Sequence, residues 1–117
     1  MSRVRSSGSV AEVRFEMLLR KRRVRFESQR VVEGVRVDFY VPYWRLAIFI
    51  DGEFWHGRIG TEGLDAFWQA KIERNVKRDA LQRRRLRRQG HAVVRFWALD
   101  VLRHPDRVLA RLNRLTL

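Results

Sequence analysis

Cysteine is absent from all 117 residues. That excludes disulfides and thiolate metal sites, and it suits a cytoplasmic protein. Lysine is scarce: Lys21, Lys71 and Lys77 are the only three among 26 basic residues. Two prolines and seven glycines are too few for a collagenous or low-complexity chain. No apolar run reaches the ~20 residues that cross a bilayer, so no membrane partner is expected. The opening MSRVRSSGS lacks the apolar centre of a signal peptide.

What the chain has is positive charge. Twenty-six basic residues stand against 13 acidic ones, a net +13. Arginine's planar fork matches phosphate oxygens, so nucleic acid is the expected partner; a membrane surface or an acidic protein is the remaining reading. The apolar share of 45% is that of a folded chain. The length suits one domain over residues 1–117, with residues 1–8 expected to be loose.

Periodicity predicts the order α-β-β-β-α-β-α, a small mixed sheet flanked by helices. Ser9, with Glu12 three residues on, reads as a capping box, and Val10, Val13, Met17 and Leu18 follow helical spacing. Alternating "VRFESQRVV" and "VRVDFYV" form two strands around a Glu33-Gly34 turn. "WRLAIFID", apolar on both faces, reads as a covered central strand. Leu64, Trp68, Ile72, Val76 and Ala80 make an apolar stripe on a helix that runs to about Arg88 and stops at Gly90. "HAVVRFW" is a fourth strand, and a last helix starts at Pro105.

Chemistry concentrates between Val37 and Gly57. Asp38 lies inside a strand, where aspartate is disfavoured and, if buried, needs a partner. Asp51 ends the next strand. Antiparallel pairing through the short Tyr40–Trp44 link brings the two carboxylates together, and a cation would relieve their repulsion. Strand alternation puts Phe49, Asp51 and Glu53 on one face. Magnesium, with manganese as a substitute, takes such oxygen ligands, and His56 is a natural proton carrier near neutral pH. A plainer reading stays open: Asp51-Gly52 as a turn, Asp38 as a paired structural residue and His56 on the surface. His91 and His104 read as structural.

Val37–His56 resembles the core of the very short patch repair (Vsr) endonucleases, with a strand aspartate and an "IF..G.FWH" segment formed by Ile48, Phe49, Gly52, Phe54, Trp55 and His56. "FWQAKIERNVKRD" continues the likeness, which covers roughly residues 10–102. The resemblance implies a restriction-endonuclease-like PD-(D/E)xK fold and a magnesium-dependent DNA endonuclease that nicks one strand at a mispair such as T:G. It assigns Asp38 to the metal, with the Ile50 backbone carbonyl beside it. His56 becomes a catalytic histidine and Glu12 a helix glutamate supporting the site. It also places Phe54, Trp55 and Trp68 where rings enter DNA beside a mismatch, although core packing is the competing role for each. Lys71, Asn75, Arg78 and Gln82 form a polar stripe beside the apolar one, suited to phosphates. Double-stranded DNA is the implied partner, with mismatch-repair proteins as further candidates, and a monomer is expected rather than a dimer.

Three departures from the family pattern matter. Without cysteine there is no structural zinc. Asp51 replaces a second active-site histidine and becomes a candidate second ligand. Glu53 replaces a zinc-ligand cysteine and is expected to face solvent or form a salt bridge, with the metal as the other option. A related "DFY.P...L.I..DG" pattern of small nuclease-like domains usually carries a glutamate at the position of Phe49. Two alternatives therefore remain: a general or restriction-type nuclease without mismatch specificity, and a DNA-binding module without catalysis.

Overall fold

Runs rich in valine, isoleucine and aromatic residues set the sheet, and the helices close over it. A computed structural model describes residues 6–116. Its elements are α1 (Ser6–Lys21), β1 (Glu27–Val32), β2 (Val35–Val41), a 3-10 turn (Pro42–Trp44), β3 (Leu46–Asp51), α2 (Ala66–Arg88), β4 (Ala92–Trp97), α3 (Ala98–Arg103) and α4 (Pro105–Thr116). The sheet order is β1-β2-β3-β4, antiparallel except for the parallel pair β3–β4. The expected order therefore holds, with one short helix added after β4. No helix among the described residues is long and apolar enough to cross a membrane.

β1 and β2 meet at Glu33-Gly34, both at positive φ (52° and 80°), the primed turn that matches strand twist. Every residue of central β3 is buried. Leu46, Ile48 and Ile50 join the larger core with Phe15 and Leu19 of α1, Val101 of α3 and Leu112 of α4. Ala47 and Phe49 join a second core with Tyr40 and with Leu86 of α2. Asp51, two residues beyond Phe49, continues on that α2-facing side.

Three expectations are corrected. α1 begins at Ser6, so Ser9 lies inside the helix rather than capping it; residues 1–5 of the segment expected to be loose lie outside the described residues. The buried stripe of α1 is Ala11, Phe15 and Leu19, while Val10, Val13 and Met17 are exposed. Phe15 decides the choice, because its ring packs 5.3 Å from Phe39 and 5.4 Å from Phe96. On α2, which Asp65 caps through Trp68 N–H, the buried residues are Ile72, Asp79 and Leu86, seven apart. Of the stripe expected there only Ile72 is buried; Trp68, Val76 and Ala80 are exposed. His91 is structural as expected: it is buried, 2.8 Å from Tyr40 Oη and 3.2 Å from Glu33.

The two stripes of α1 separate in a denaturation experiment. Phe15→Ala should cost about 3–5 kcal/mol in urea unfolding, whereas Val13→Ala should stay within about 0.5 kcal/mol. Similar losses for both would place the helix on the wrong face.

Candidate active site

The site opens where the sheet forks. β3 pairs with β4 along its whole length, from Leu46↔Ala92 to Asp51↔Trp97, but on its other edge the pairing with β2 ends at Phe39↔Ile48. In the gap, the Asp38 carboxylate replaces the missing ladder acceptor: Ile50 N–H donates to Asp38 Oδ2 at 2.7 Å. A strand residue's N–H and C=O face the same neighbour, so the Ile50 carbonyl faces this gap too. Gln29, opposite Asp38 on β1, sits at φ 51°, an uncommon conformation for a residue other than glycine. Its side chain hydrogen-bonds Asp38 and also donates to Glu12 Oε1 at 3.0 Å. Glu12 thus reaches the site through Gln29.

Asp51 is buried on the same face of the sheet. Both its oxygens are held by Arg83 of α2, at 2.9 and 3.0 Å, and Arg95 of β4 lies 3.5 Å away. Arg83 stacks over Phe49, and its Nε is buried without an acceptor. His56, on the loop after β3, is anchored by Asp79 at 2.5 Å through Nδ1, while Nε2 lies 3.9 Å from Asp51. Asp51, His56 and Asp79 each offer one ligand atom, and these lie within 4.8 Å of one another.

Electrostatics follow from this crowding. Burial raises the pKa of Asp38, and the charge of Asp51 adds to the rise against the Ile50 hydrogen bond. A carboxylate so placed is an anion that a divalent cation would stabilise, and with the Ile50 carbonyl it provides the hard oxygen donors magnesium prefers. For His56, burial alone would depress the pKa. The hydrogen bond to Asp79 and the charges of Asp51 and Asp79 outweigh it, and the net shift is upward. For Asp79, burial is outweighed by the His56 hydrogen bond and nearby cations, and the net shift is downward.

Glu12, Asp38, Ile50, Asp51, His56, Lys71, Asn75 and Arg78 all line one groove of 680 Å³. Trp55 also lines it, 42% exposed, with its ring 5.6 Å from that of Trp68. Phe54 and Phe67 extend the cluster edge-on at 4.9 and 5.1 Å. The Lys71 ammonium sits over Trp55 and Trp68, and Asn75 donates to the Trp55 carbonyl at 3.2 Å. Trp68 is 36% exposed, so it does not fill a core. Glu53 is buried rather than solvated. It accepts from Leu99 N–H at 2.8 Å at the start of α3 and pairs with Arg58 at 3.4 Å.

Sequence reasoning missed Gln29, Asp79, Arg83 and Arg95 as parts of the site. Asp79 gave no local signal: that it shares a buried register with Ile72 and Leu86, with Arg83 one turn on, emerges only once α2 is seated. Gln29 gave none either, because nothing in its type announces a left-handed backbone.

A family model described as DNA mismatch endonuclease Vsr matches residues 1–61, about half of the chain. Type II nicking enzyme V.XorIIP of Xanthomonas oryzae pv. oryzae is 34% identical over 107 residues, 86% of this chain and 78% of that protein. The chain belongs to the Vsr family. Another Vsr-like relative, type II nicking enzyme V.NmeDIP of Neisseria meningitidis serogroup C, is 44% identical over 73 residues, 57% of this chain and 49% of that protein. Type II nicking enzyme V.HpaIIP of Haemophilus parainfluenzae is 40% identical over 76 residues, 60% of this chain and 54% of that protein. The matches thus span about half the length of these two relatives. The catalytic domain of the homing endonuclease I-Bth0305I superposes with a TM-score of 0.68 at 23% identity, over 90% of this chain and 91% of that one. That likeness shows the fold, as expected: an endonuclease-like mixed sheet between helices.

The His56–Asp79 pair gives this Vsr-family site a testable pH signature. In metal-free protein, the His56 NMR resonances should titrate above the ordinary 6.5, and Asp79→Asn should bring the midpoint down. Because the folded pKa of His56 is raised, its contribution to stability is full below the unfolded pKa and is lost as pH rises through the folded one. For Asp79, whose pKa is lowered, stability is lost as pH falls through the folded value. An unchanged midpoint in Asp79→Asn would contradict the assignment.

Proposed function

We propose that this chain is a magnesium-dependent DNA endonuclease of the very short patch repair type, working in the cytoplasm as a monomer and nicking one strand of duplex DNA at a mispair such as T:G. The observation that carries this reading is the acidic fork of Asp38 and Asp51 beside the His56–Asp79 pair, in a groove shared with the exposed Trp55 ring of a chain with +13 charge.

Asp38 and the Ile50 carbonyl would hold the cation, with Asp51 beside them. Manganese would substitute, and no structural zinc is needed. Bound there, the cation would supply Lewis-acid stabilisation of a phosphodiester under attack by water. Asp79 fixes His56 through Nδ1, which leaves Nε2 to exchange a proton with the reacting oxygens. The raised pKa of His56 keeps a larger share protonated at neutral pH, so the ring is suited to protonate the oxygen that leaves phosphorus. Glu12, acting through Gln29, holds Asp38 in place. Lys71, Asn75 and Arg78 would steady phosphates on either side of the cut.

Phe54, Trp55 and Trp68 would wedge beside the mispair. Unstacking a base step costs a few kcal/mol, least where pairing is already weak, so the aromatic cluster favours a mismatch over a perfect duplex. Mismatch-repair proteins would be the natural company for such an activity.

Supercoiled plasmid and a heteroduplex circle carrying one T:G pair provide the test. With magnesium, open circles should form from the heteroduplex, and Asp38→Asn should lower the rate by at least 100-fold without weakening DNA binding. Linear product from perfect duplex would favour a restriction-type nuclease. Equal binding by wild type and Asp38→Asn, with no cutting by either, would leave only a DNA-binding module.

A further inference from the structure

A second cleft, of 830 Å³, lies between α2, β4 and α4. Six arginines line it: Arg83, Arg84 and Arg87 of α2, Arg95 of β4, and Arg107 and Arg111 of α4. Arg83 and Arg95 are partly neutralised by Asp51. Arg84, Arg87 and Arg107 make no ion pair among the described residues. Asp79 and Asp100 are the acids of the lining; Asp79 is held by His56, and Asp100 pairs with Arg58 at 3.3 Å. Unshared positive charge is therefore concentrated in a concave place.

The cleft adjoins the active-site groove, and His56, Asp79 and Arg83 line both. A polyanion crossing the acidic fork would meet the arginines next. The volume is that of a small-ligand pocket, in the ~300–1,000 Å³ class, enough for a few nucleotides of single strand. Trp97 lines it with the guanidinium groups of Arg95 and Arg58 over its ring at 4.0 and 5.3 Å, and the part-exposed Arg95 plane is a surface on which an unpaired base can stack. An acidic peptide would satisfy the charge but would make no use of the stacking surface.

We propose that this arginine cleft binds a short single-stranded DNA segment, the stretch of the cut strand that leaves the duplex next to the scissile phosphate. The assignment rests on the nuclease reading above for the identity of the strand.

Fluorescence anisotropy without divalent ions tests it, so that cleavage plays no part. The probes are a short labelled oligothymidylate and an intact duplex. The proteins are wild type, the cleft double variant Arg87→Ala/Arg107→Ala, and a control, Arg14→Ala/Arg25→Ala, which removes the same charge from exposed positions elsewhere. The cleft variant should bind the oligothymidylate at least tenfold more weakly and keep duplex binding within about twofold. Its salt slope should fall by about 1.4, at ~0.7 per single-strand phosphate contact. The control should lose far less. Equal losses in both double variants, or wild-type binding by the cleft variant, would overturn the proposal. So would displacement of the oligonucleotide by polyglutamate as readily as by unlabelled DNA, because the occupant would then be an acidic protein. Nicking is scored separately: failure of wild type to nick would refute the nuclease reading whatever the binding result.

Discussion

The hydrogen bond from Ile50 N–H to Asp38 is the constraint on which the site depends. Beyond Phe39↔Ile48 β3 has no further partner on β2, while its other edge stays paired with β4, and a gap opens in the β2–β3 ladder. A buried backbone N–H left unpaired there would cost about 1–3 kcal/mol. A side-chain carboxylate satisfies it, and the aspartate is thereby fixed at a fork with a backbone carbonyl facing the same space. The arrangement explains why an otherwise poor strand former sits inside β2. It also couples fold to chemistry: the bond that closes the sheet is the one that aims the acid.

Around this fork the chain balances buried charge rather than removing it. Asp51 is almost fully buried and would be costly alone; Arg83 and Arg95 offset it. His56 and Asp79 form a second pair on the same side. Asp38 is a carboxylate whose pKa is raised, because burial outweighs its hydrogen bond from one backbone donor and Asp51 stands close by. The electrostatic imbalance therefore sits at one carboxylate. The +13 charge of the whole chain favours the approach of a phosphate polyanion.

Much of the fold was legible because strands and helix ends leave local signals. The Glu33-Gly34 turn, the doubly apolar β3 and the Gly90 stop are each written in adjacent residues. The α1 face and the α2 seat were not, because α1 carries two competing apolar stripes and α2 buries a register that includes an aspartate, and only tertiary packing makes either choice. Phe15 wins on α1 by stacking against Phe39 and Phe96. On α2 most of the apolar stripe stays exposed: Trp68 joins the aromatic cluster at the groove, and an aspartate takes the buried register. The strand and loop part of the site, Asp38, Asp51 and His56, could be read from neighbouring residues. Its helical part, Asp79 and Arg83, could not, because nothing local says which residue of α2 faces the end of β3. Gln29 depends on a backbone conformation that its residue type does not favour.

The central claim is that Asp38 and the Ile50 carbonyl form a cation site at the fork. Anomalous diffraction from crystals soaked in manganese tests it most directly. The account predicts a peak against the Asp38 carboxylate and the Ile50 carbonyl that disappears in Asp38→Asn. A manganese peak that survives this substitution, or that lies elsewhere while the fork stays empty, would contradict it.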